Sequence, residues 1–182
     1  MITLTDCARL LCDSPHCLAL LEAWQRWRGD DLLPSSDGII AEHLGPALGH
    51  VTVLDAVSPD RVVFRLFAGW HGDMTGRDLT GQNYIEMVPE EERPTRIERL
   101  YNLTSTPCGG LGETSIVRRS GLVTPFRSLM LPVAAISTGE PMKLFAATDM
   151  YGKRPWTGDE TDDPAPLAHA YAYIDLGSGV PD

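Results

Sequence analysis

A chain of 182 residues, 43% of them hydrophobic, is long enough to bury the core of one domain, which argues against general disorder. Its net charge of −10 and the absence of any Lys/Arg cluster argue against a nucleic-acid-binding surface. No apolar run approaches the roughly 20 residues that cross a membrane, and the N-terminus lacks the apolar core of a secretory signal. We therefore expect a cytoplasmic protein that binds neither nucleic acid nor membrane.

The first long helix is predicted to begin at Ser14 and Pro15, because a capping hydroxyl followed by proline is typical of a helix N-terminus. The apolar residues that follow recur at helical spacing and form one rich stripe: Leu18, Leu20, Leu21, Trp24 and Trp27. Such a stripe has to be covered, either by the protein's own sheet or by the same helix of a second copy. Of these two alternatives we favour a homodimer, with Leu21, Trp24 and Trp27 at its interface.

Two strands joined by a hairpin are predicted next, at 50–56 and 62–68. Apolar and more polar residues alternate in the second strand, as in a half-buried antiparallel strand. We expect this strand, the glycines that follow it and a short helix to form the wall of a central cavity.

The short helix is predicted in the segment Gly76-Arg77-Asp78-Leu79-Thr80-Gly81, which we interpret as a structural turn. Asp78 and Thr80 can accept hydrogen bonds from local backbone N–H groups, and Gly81 suits a left-handed helix cap. Arg77 between two glycines also suggests phosphate binding, but the segment lacks the Lys-Ser ending of a P-loop. We therefore favour the structural role.

The C-terminal half is predicted to contain a helix that opens at Pro89, followed by strands at 111–120, 124–136 and 143–150, and by a possible short strand at 171–176. Because neighbouring strands are joined by tight turns, we expect an α+β fold with a five-stranded antiparallel sheet, helices on one face and an N-terminal flanking helix. The chain then divides into an N-terminal helix and loop (1–38), a core (39–151), and an acidic loop with a C-terminal strand (152–182).

Several short segments occur in an order that is typical of one family. They are Trp24-x-x-Trp27-Arg28-Gly29, Leu33-Pro34, the strand at 50–55, Phe64-Arg65-Leu66, the segment 76–81, Leu129-Met130-Leu131-Pro132 and Ile174-Asp175-Leu176-Gly177. From 18 to 177 the chain resembles the bacterial family of stand-alone PAS-like domains, and most specifically in the Gly-Arg-Asp-Leu-Thr-Gly segment. The resemblance implies a non-enzymatic sensory or adaptor module that dimerises through its N-terminal helix. It also implies that a small ligand binds between sheet and helices, and that a signal passes to a separate protein such as a histidine kinase.

The side chains that we expect to line the ligand cavity are Phe67, Trp70, His71, Tyr84, Met87, Met130 and Phe145. Trp70 and His71 could instead form a partly exposed loop pair. A haem bound through His71, or a flavin, is possible, but neither is favoured, because one histidine in the right region is weak evidence.

An enzyme of the ketosteroid-isomerase type is the alternative from another class. It needs a buried acid on the concave face of the sheet, whereas Asp55 and Asp149 fall at predicted strand ends. Cys108 and His71 could act as nucleophile and base only if the fold brings them together.

We expect no metal site, because Cys7, Cys12 and Cys17 do not share a helix face and no C-x-x-C pair occurs. The acidic run at 159–163 is interpreted as a solvated loop, because it lacks the spacing of a calcium-binding loop.

Overall fold

The chain forms one mixed sheet with helices on both of its faces. The computed structural model describes residues 1–117, 121, 123–151 and 167–181. The strands are β1 (Ile2–Thr3), β2 (Val51–Ser58), β3 (Arg61–Leu66), β4 (Gly109–Val117), β5 (Val123–Val133), β6 (Met142–Met150) and β7 (Ala170–Asp175). The helices are α1 (Leu4–Leu10), α2 (Pro15–Arg28), α3 (Gly69–Thr75) and α4 (Arg93–Ser105). Short 3-10 helices occupy Ser36–Gly38, Ala41–His50, Tyr84–Met87 and Glu90–Glu92. Within the described ranges, no helix has the length and apolar character needed to span a bilayer.

The sheet has seven strands in the order β1-β7-β4-β5-β6-β2-β3. Neighbouring strands are antiparallel except for β1, which pairs with β7 in parallel. Five of the predicted strands form the continuous antiparallel part, β3-β2-β6-β5-β4, and β7 and β1 extend it beyond β4. The possible short strand predicted at 171–176 is β7. The prediction of five strands was therefore too low. β1 holds only Ile2 and Thr3, which is too short for an alternating pattern to appear in the sequence.

The two faces of the sheet each carry a buried apolar cluster, so the prediction of helices grouped on one face was incomplete. In β5, Leu129 and Leu131 contribute to the cluster beneath α1 and α2, while Met130 between them packs on the opposite side beneath α3 and α4. A sheet that is apolar on both faces has to be covered on both. The central strands satisfy this condition, and the N-terminal helices supply the second cover.

Helix α2 packs across its own sheet. Leu21 and Trp24 are 1% and 0% exposed, and the Trp24 indole Nε1 donates to the Pro132 carbonyl at 2.8 Å. Trp27 is half-buried, and its ring lies edge-on to that of Phe145, with centroids 5.6 Å apart. The residues expected at a homodimer interface thus contact the chain's own core. This matches the alternative in which the chain's own sheet covers the apolar stripe of α2. The oligomeric state itself stays a prediction.

The N-terminus of α2 is held by a carboxylate from the sheet. Ser14 occupies the capping position, but its side chain makes no capping hydrogen bond. Instead, Asp149 of β6 accepts the backbone N–H groups of His16 at 2.9 Å and Cys17 at 2.8 Å. These are two of the donors that the first turn of a helix leaves unpaired, and the negative charge also suits the positive end of the helix dipole.

Arg127 of β5 connects the loop before α2 to the same face of the sheet. Its guanidinium donates to the Glu113 carboxylate at 2.9 Å and to the Leu10 carbonyl at 2.6 Å, and it forms an ion pair with Asp13. Because Arg127 is only 8% exposed, these acceptors compensate for the loss of water around its charge.

The segment 76–81 is a loop, so the prediction of a short helix in it was wrong. The helix lies just before it, as α3, and Gly76 ends that helix in the left-handed conformation with φ 65°. Within the loop, the Asp78 carboxylate accepts the Thr80 backbone N–H at 2.9 Å, as expected for a local cap.

The same segment covers the outer edge of β3. The Gly81 N–H donates to the Phe64 carbonyl at 2.8 Å, and the Phe64 N–H donates to the Gln82 carbonyl at 3.0 Å. An uncovered edge strand would present unpaired backbone groups to other chains. The end of this segment, with Gln82, therefore pairs with the backbone of the edge strand at Phe64.

Candidate functional site

A cavity of about 210 Å³ lies between the sheet and the helices α3 and α4. Its floor consists of alternate residues of four strands, namely Thr52, Leu54, Gly110, Gly112, Thr114, Ile116, Phe126, Ser128, Met130, Ala146 and Thr148. Its roof and sides come mainly from α3, α4 and the segments around them, with Phe64, Phe67, Trp70, His71, Met74, Leu79, Tyr84, Met87, Arg96, Arg99, Leu100, Ala168 and Tyr171. The lining is mostly aromatic and aliphatic, which is the composition of a small-molecule site.

Two glycines of β4 make room at one end of the floor. A Cβ atom on Gly110 would clash with the Tyr171 hydroxyl, and one on Gly112 would lie 3.1 Å from the Ala168 Cβ. The Tyr171 side chain of β7 can therefore lie across β4 and reach the cavity. Burial raises the pKa of Tyr171, so its hydroxyl stays protonated at neutral pH.

His71 of α3 faces the cavity as a neutral imidazole. Its Nδ1 lies 3.2 Å from the Thr52 Oγ1, and that oxygen also accepts the Ala68 N–H at 3.2 Å. Burial, and secondly the neighbouring His50, lower the pKa of His71 to about 4. At neutral pH His71 is therefore an uncharged polar group in the cavity wall.

A row of stacked rings leads from the cavity wall to the N-terminus of α2. The Trp70 ring lies 5.1 Å from the His50 ring, which stacks on the His16 ring at 3.5 Å with 7° between their planes. The His16 Nδ1 is 2.5 Å from the Asp149 carboxylate. Burial, and then the proximity of His16, lower the pKa of His50. Contacts thus run without a gap from a cavity residue on α3 to the capped end of α2.

Two arginines of α4 line the cavity, and the sequence interpretation overlooked both. Arg96 and Arg99 are one helical turn apart, and Leu100 lies on the same inner face. The Arg99 guanidinium carbon lies over the Tyr171 ring, 4.4 Å from its centroid, and Arg99 donates to the Ala168 carbonyl at 3.3 Å. The Arg96 guanidinium carbon lies 5.2 Å from the centroid of the Tyr84 ring, and Arg96 donates to the Tyr84 hydroxyl. The spacing of the two arginines was the available signal, but charged residues on a helix are usually interpreted as its solvated face.

The structure places most of the expected pocket residues around this one cavity. Phe67, Trp70, His71, Tyr84, Met87 and Met130 all belong to its lining. Phe145 does not, because it lies in the cluster beneath α2 on the opposite face. Its neighbours in β6, Leu144 and Ala146, are the residues that face α3 and α4. The prediction was correct that β6 contributes to the cavity, but the β6 residues that face it alternate with Phe145.

The residues considered for catalysis lie apart from the cavity or are chemically unsuited to it. Among the described lining residues there is no Asp or Glu. Asp149 faces α2, and Cys108 is buried outside the lining, where burial and secondly Asp175 raise the pKa of its thiol to about 11. A protonated thiol is a poor nucleophile at neutral pH.

Metal binding receives no support from the part of the chain that the structure describes. Within that part, no group of three or more His, Cys, Asp or Glu side chains is placed to hold a metal ion. Cys7 and Cys17 are buried and Cys12 is exposed. The acidic run at 159–163 lies outside the described residues.

The cavity is too small for haem or flavin. Pockets for drug-sized ligands occupy about 300 to 1,000 Å³, and a porphyrin or an isoalloxazine with its side chain belongs to that class or exceeds it. The cavity of about 210 Å³ is smaller, so it suits a much smaller molecule.

Comparison with known proteins gives a family for the chain. The family model described as "PAS domain" matches residues 12–147, which is well over half of the sequence. One similar solved structure is the PAS domain of a protein from Colwellia psychrerythraea, with 12% identity and a TM-score of 0.40, covering 58% of this chain and 87% of that one. Another is RsLOV D109G, with 15% identity and a TM-score of 0.40, covering 60% of this chain and 64% of that one. A search of curated proteins finds no match. By the extent of the family match, this chain belongs to the PAS domain family.

Proposed function

We propose that this PAS domain is a non-enzymatic sensor that binds a small molecule between its sheet and the helices α3 and α4. The binding would be passed on to a signalling protein, such as a histidine kinase. The observation that carries the proposal is the cavity of about 210 Å³ with its aromatic lining. Gly110 and Gly112 support it further, because their missing side chains allow Tyr171 and Ala168 to lie against β4 and close one end of the cavity.

The stacked rings supply a route for the signal. Trp70 lines the cavity, and its ring contacts that of His50, which in turn contacts the ring of His16 on α2. A ligand that moves Trp70 would therefore change the packing at the N-terminus of α2. Close-packed groups transmit such displacements because they have few alternative arrangements.

An enzyme of the ketosteroid-isomerase type is the less favoured alternative. Such an enzyme needs an acid that faces its substrate. Asp149 is occupied by the N-terminus of α2, and the Asp55 carboxylate lies 4.0 Å from the Lys143 ammonium on the neighbouring strand. Neither of them is part of the cavity lining.

A cavity-filling substitution tests the proposal. Ala146 lies on the floor and is 9% exposed, so Ala146→Leu would place additional carbon atoms inside the cavity. We expect toluene or indole to shift the amide NMR signals of cavity residues in the wild type, and to shift them much less in Ala146→Leu.

Ala41→Leu is the matched control, because Ala41 is exposed and lies outside the cavity. A folded spectrum of Ala146→Leu without ligand would show that loss of binding is not loss of structure. If both probes bind Ala146→Leu as they bind the wild type, the cavity is not the binding site and the proposal fails.

A further inference from the structure

We infer that the ligand carries a hydrogen-bond acceptor, such as a carbonyl oxygen, on an apolar body, and that the Tyr171 hydroxyl donates to it. The inference rests on the proposed function, because it concerns the molecule that occupies the same cavity. It adds a chemical class to the ligand and identifies the residue that would select it.

The position of the Tyr171 hydroxyl is the first support. Its oxygen lies in the space that a Cβ atom on Gly110 would enter, and its ring carbon Cδ2 lies 3.5 Å from the Cβ position of Gly112. Both glycines belong to the floor of the cavity, so the ring extends along β4 on the cavity side of the sheet. The missing side chain of Gly110 thus leaves room for the hydroxyl at the floor.

The lack of a partner for this hydroxyl is the second support. The Tyr171 hydroxyl makes no hydrogen bond to any other residue that the structure describes. On the same strand, by contrast, the Tyr173 hydroxyl accepts the Asn102 side-chain N–H at 2.9 Å. Burial raises the pKa of Tyr171, so its hydroxyl keeps its proton at neutral pH and can donate. A donor that is removed from water without an acceptor destabilises the protein, and an acceptor on the ligand would remove that cost.

The neighbouring polar groups of the cavity are the third support, because they bond within the protein. The hydroxyl groups of Ser128 and Thr148 bond to each other at 2.9 Å. The Thr52 Oγ1 lies 3.2 Å from the His71 Nδ1. These four side chains have partners without a ligand, so an acceptor that enters the cavity finds its unused donor at Tyr171.

The size and polarity of the remaining space define the body of the ligand. A cavity of about 150 Å³ holds benzene, so a cavity of about 210 Å³ suits a molecule of roughly eight to ten non-hydrogen atoms. The floor also carries Leu54, Phe126 and Met130, and Phe67 adds an aromatic ring to the wall. An aromatic ring that bears one carbonyl group matches this description.

The test compares acetophenone with α-methylstyrene, which has the same shape but a methylene group in place of the carbonyl oxygen. Amide NMR titration of the whole chain would measure both dissociation constants in the wild type and in Tyr171→Phe, which lacks only the hydroxyl oxygen. We expect Tyr171→Phe to bind acetophenone roughly three- to ten-fold more weakly, the usual effect of one neutral hydrogen bond. Its affinity for α-methylstyrene should stay within about two-fold of the wild-type value, because that probe has no acceptor to lose.

The carbonyl group of the probe gives a second measurement, which needs no variant. A hydrogen bond moves the NMR signal of a carbonyl carbon downfield, so isotopically labelled acetophenone bound to the wild type should resonate downfield of its position in cyclohexane. In Tyr171→Phe this shift should largely disappear. Tyr101→Phe is the matched control, because Tyr101 is 51% exposed and lies outside the cavity. It should leave the dissociation constants and the carbonyl signal unchanged.

Three results would overturn the inference while toluene and indole still bind the cavity. They are full affinity of Tyr171→Phe for acetophenone, equal weakening of both probes by this substitution, and a carbonyl signal in the wild type like that in cyclohexane. If none of the four probes binds in the cavity, the proposed function fails together with the inference.

Discussion

Gly109 and Gly110 begin β4 at a point where side chains from neighbouring strands close over the backbone. At Gly109 a Cβ atom would lie 2.9 Å from the Ile174 Cδ1 and 3.0 Å from the Leu131 Cδ2. Both of those side chains are fully buried, so they have little room to move. Glycine is required here by close approach and not by an unusual backbone angle.

Gly109→Ala is therefore expected to destabilise the protein by about 1–3 kcal/mol, the usual cost of overpacking a core. Urea unfolding followed by circular dichroism would measure the change in the free energy of unfolding. Gly49→Ala is the control, because no atom lies within 4 Å of the position of its Cβ. A loss in Gly109→Ala no larger than that in Gly49→Ala would contradict the packing that we describe.

Single residues also show where prediction from the sequence reached its limit. Trp70 and His71 could be assigned to the cavity because both follow a strand that ends at a glycine turn. Phe145 was assigned to the wrong face, because β6 is apolar on both sides and its pattern does not show which side faces the cavity. In such a strand a shift of one residue exchanges the two faces.

Among the elements, α2 and the segment 76–81 show how local signals and distant contacts combine. Ser14 and Pro15 correctly predicted where α2 begins, but the acceptor for its first N–H groups is Asp149, more than a hundred residues away. In the segment 76–81, the left-handed conformation predicted for Gly81 is present, with φ 85°. Gly81 hydrogen-bonds to the edge strand β3, and this contact is formed only when β3, which comes earlier in the chain, lies beside it.

Gly81→Ala is expected to weaken the backbone hydrogen bonds between this segment and β3. Gly81 has φ 85°, where a Cβ atom destabilises the backbone conformation by about 1–2 kcal/mol. Its N–H donates one of the hydrogen bonds to that strand. Hydrogen exchange measured by NMR should become faster at the Phe64 amide, which donates to Gln82 beside the substituted position.

Gly69→Ala provides the comparison, since Gly69 begins α3 with an ordinary backbone angle and open space around its Cβ position. Its effect on the Phe64 amide should be small. Unchanged protection of that amide in Gly81→Ala would mean that the segment does not stabilise the edge.

For the molecule as a whole, the partly buried imidazole of His71 connects stability to pH. Its pKa of about 4 in the folded protein is below the ordinary value of 6.5, so the unfolded chain binds the proton more readily. The stability that neutral His71 contributes is therefore fully present above about pH 6.5, and it is lost as the pH falls toward 4. Between about pH 7 and about pH 5 we expect this group to account for a loss of about 1–2 kcal/mol.

The free energy of unfolding in urea at these two pH values would measure the effect. His71→Gln cannot take up the proton, so it should lose less stability on acidification than the wild type. His169→Gln, at an exposed position, should behave like the wild type. Equal losses in the wild type and His71→Gln would show that His71 is not the group responsible.

The two-sided sheet is the feature of the whole molecule that was least accessible from the sequence. Period-two alternation predicted the strand at 62–68, tight turns predicted the antiparallel order, and helical periodicity predicted α2. These patterns repeat every few residues, so each can be recognised within one element. The family resemblance likewise follows from short segments in a fixed order.

Other features arise from residues that lie far apart in the sequence. In the folded chain, α2 packs on the chain's own sheet and Asp149 caps the N-terminus of that helix. Arg96 and Arg99 line the cavity, although arginine side chains usually face water. Ala146 lines the cavity, whereas Phe145 packs on the opposite face of the sheet. A local pattern shows which residues share a face, but the partner that covers each face is known only when the whole chain has folded.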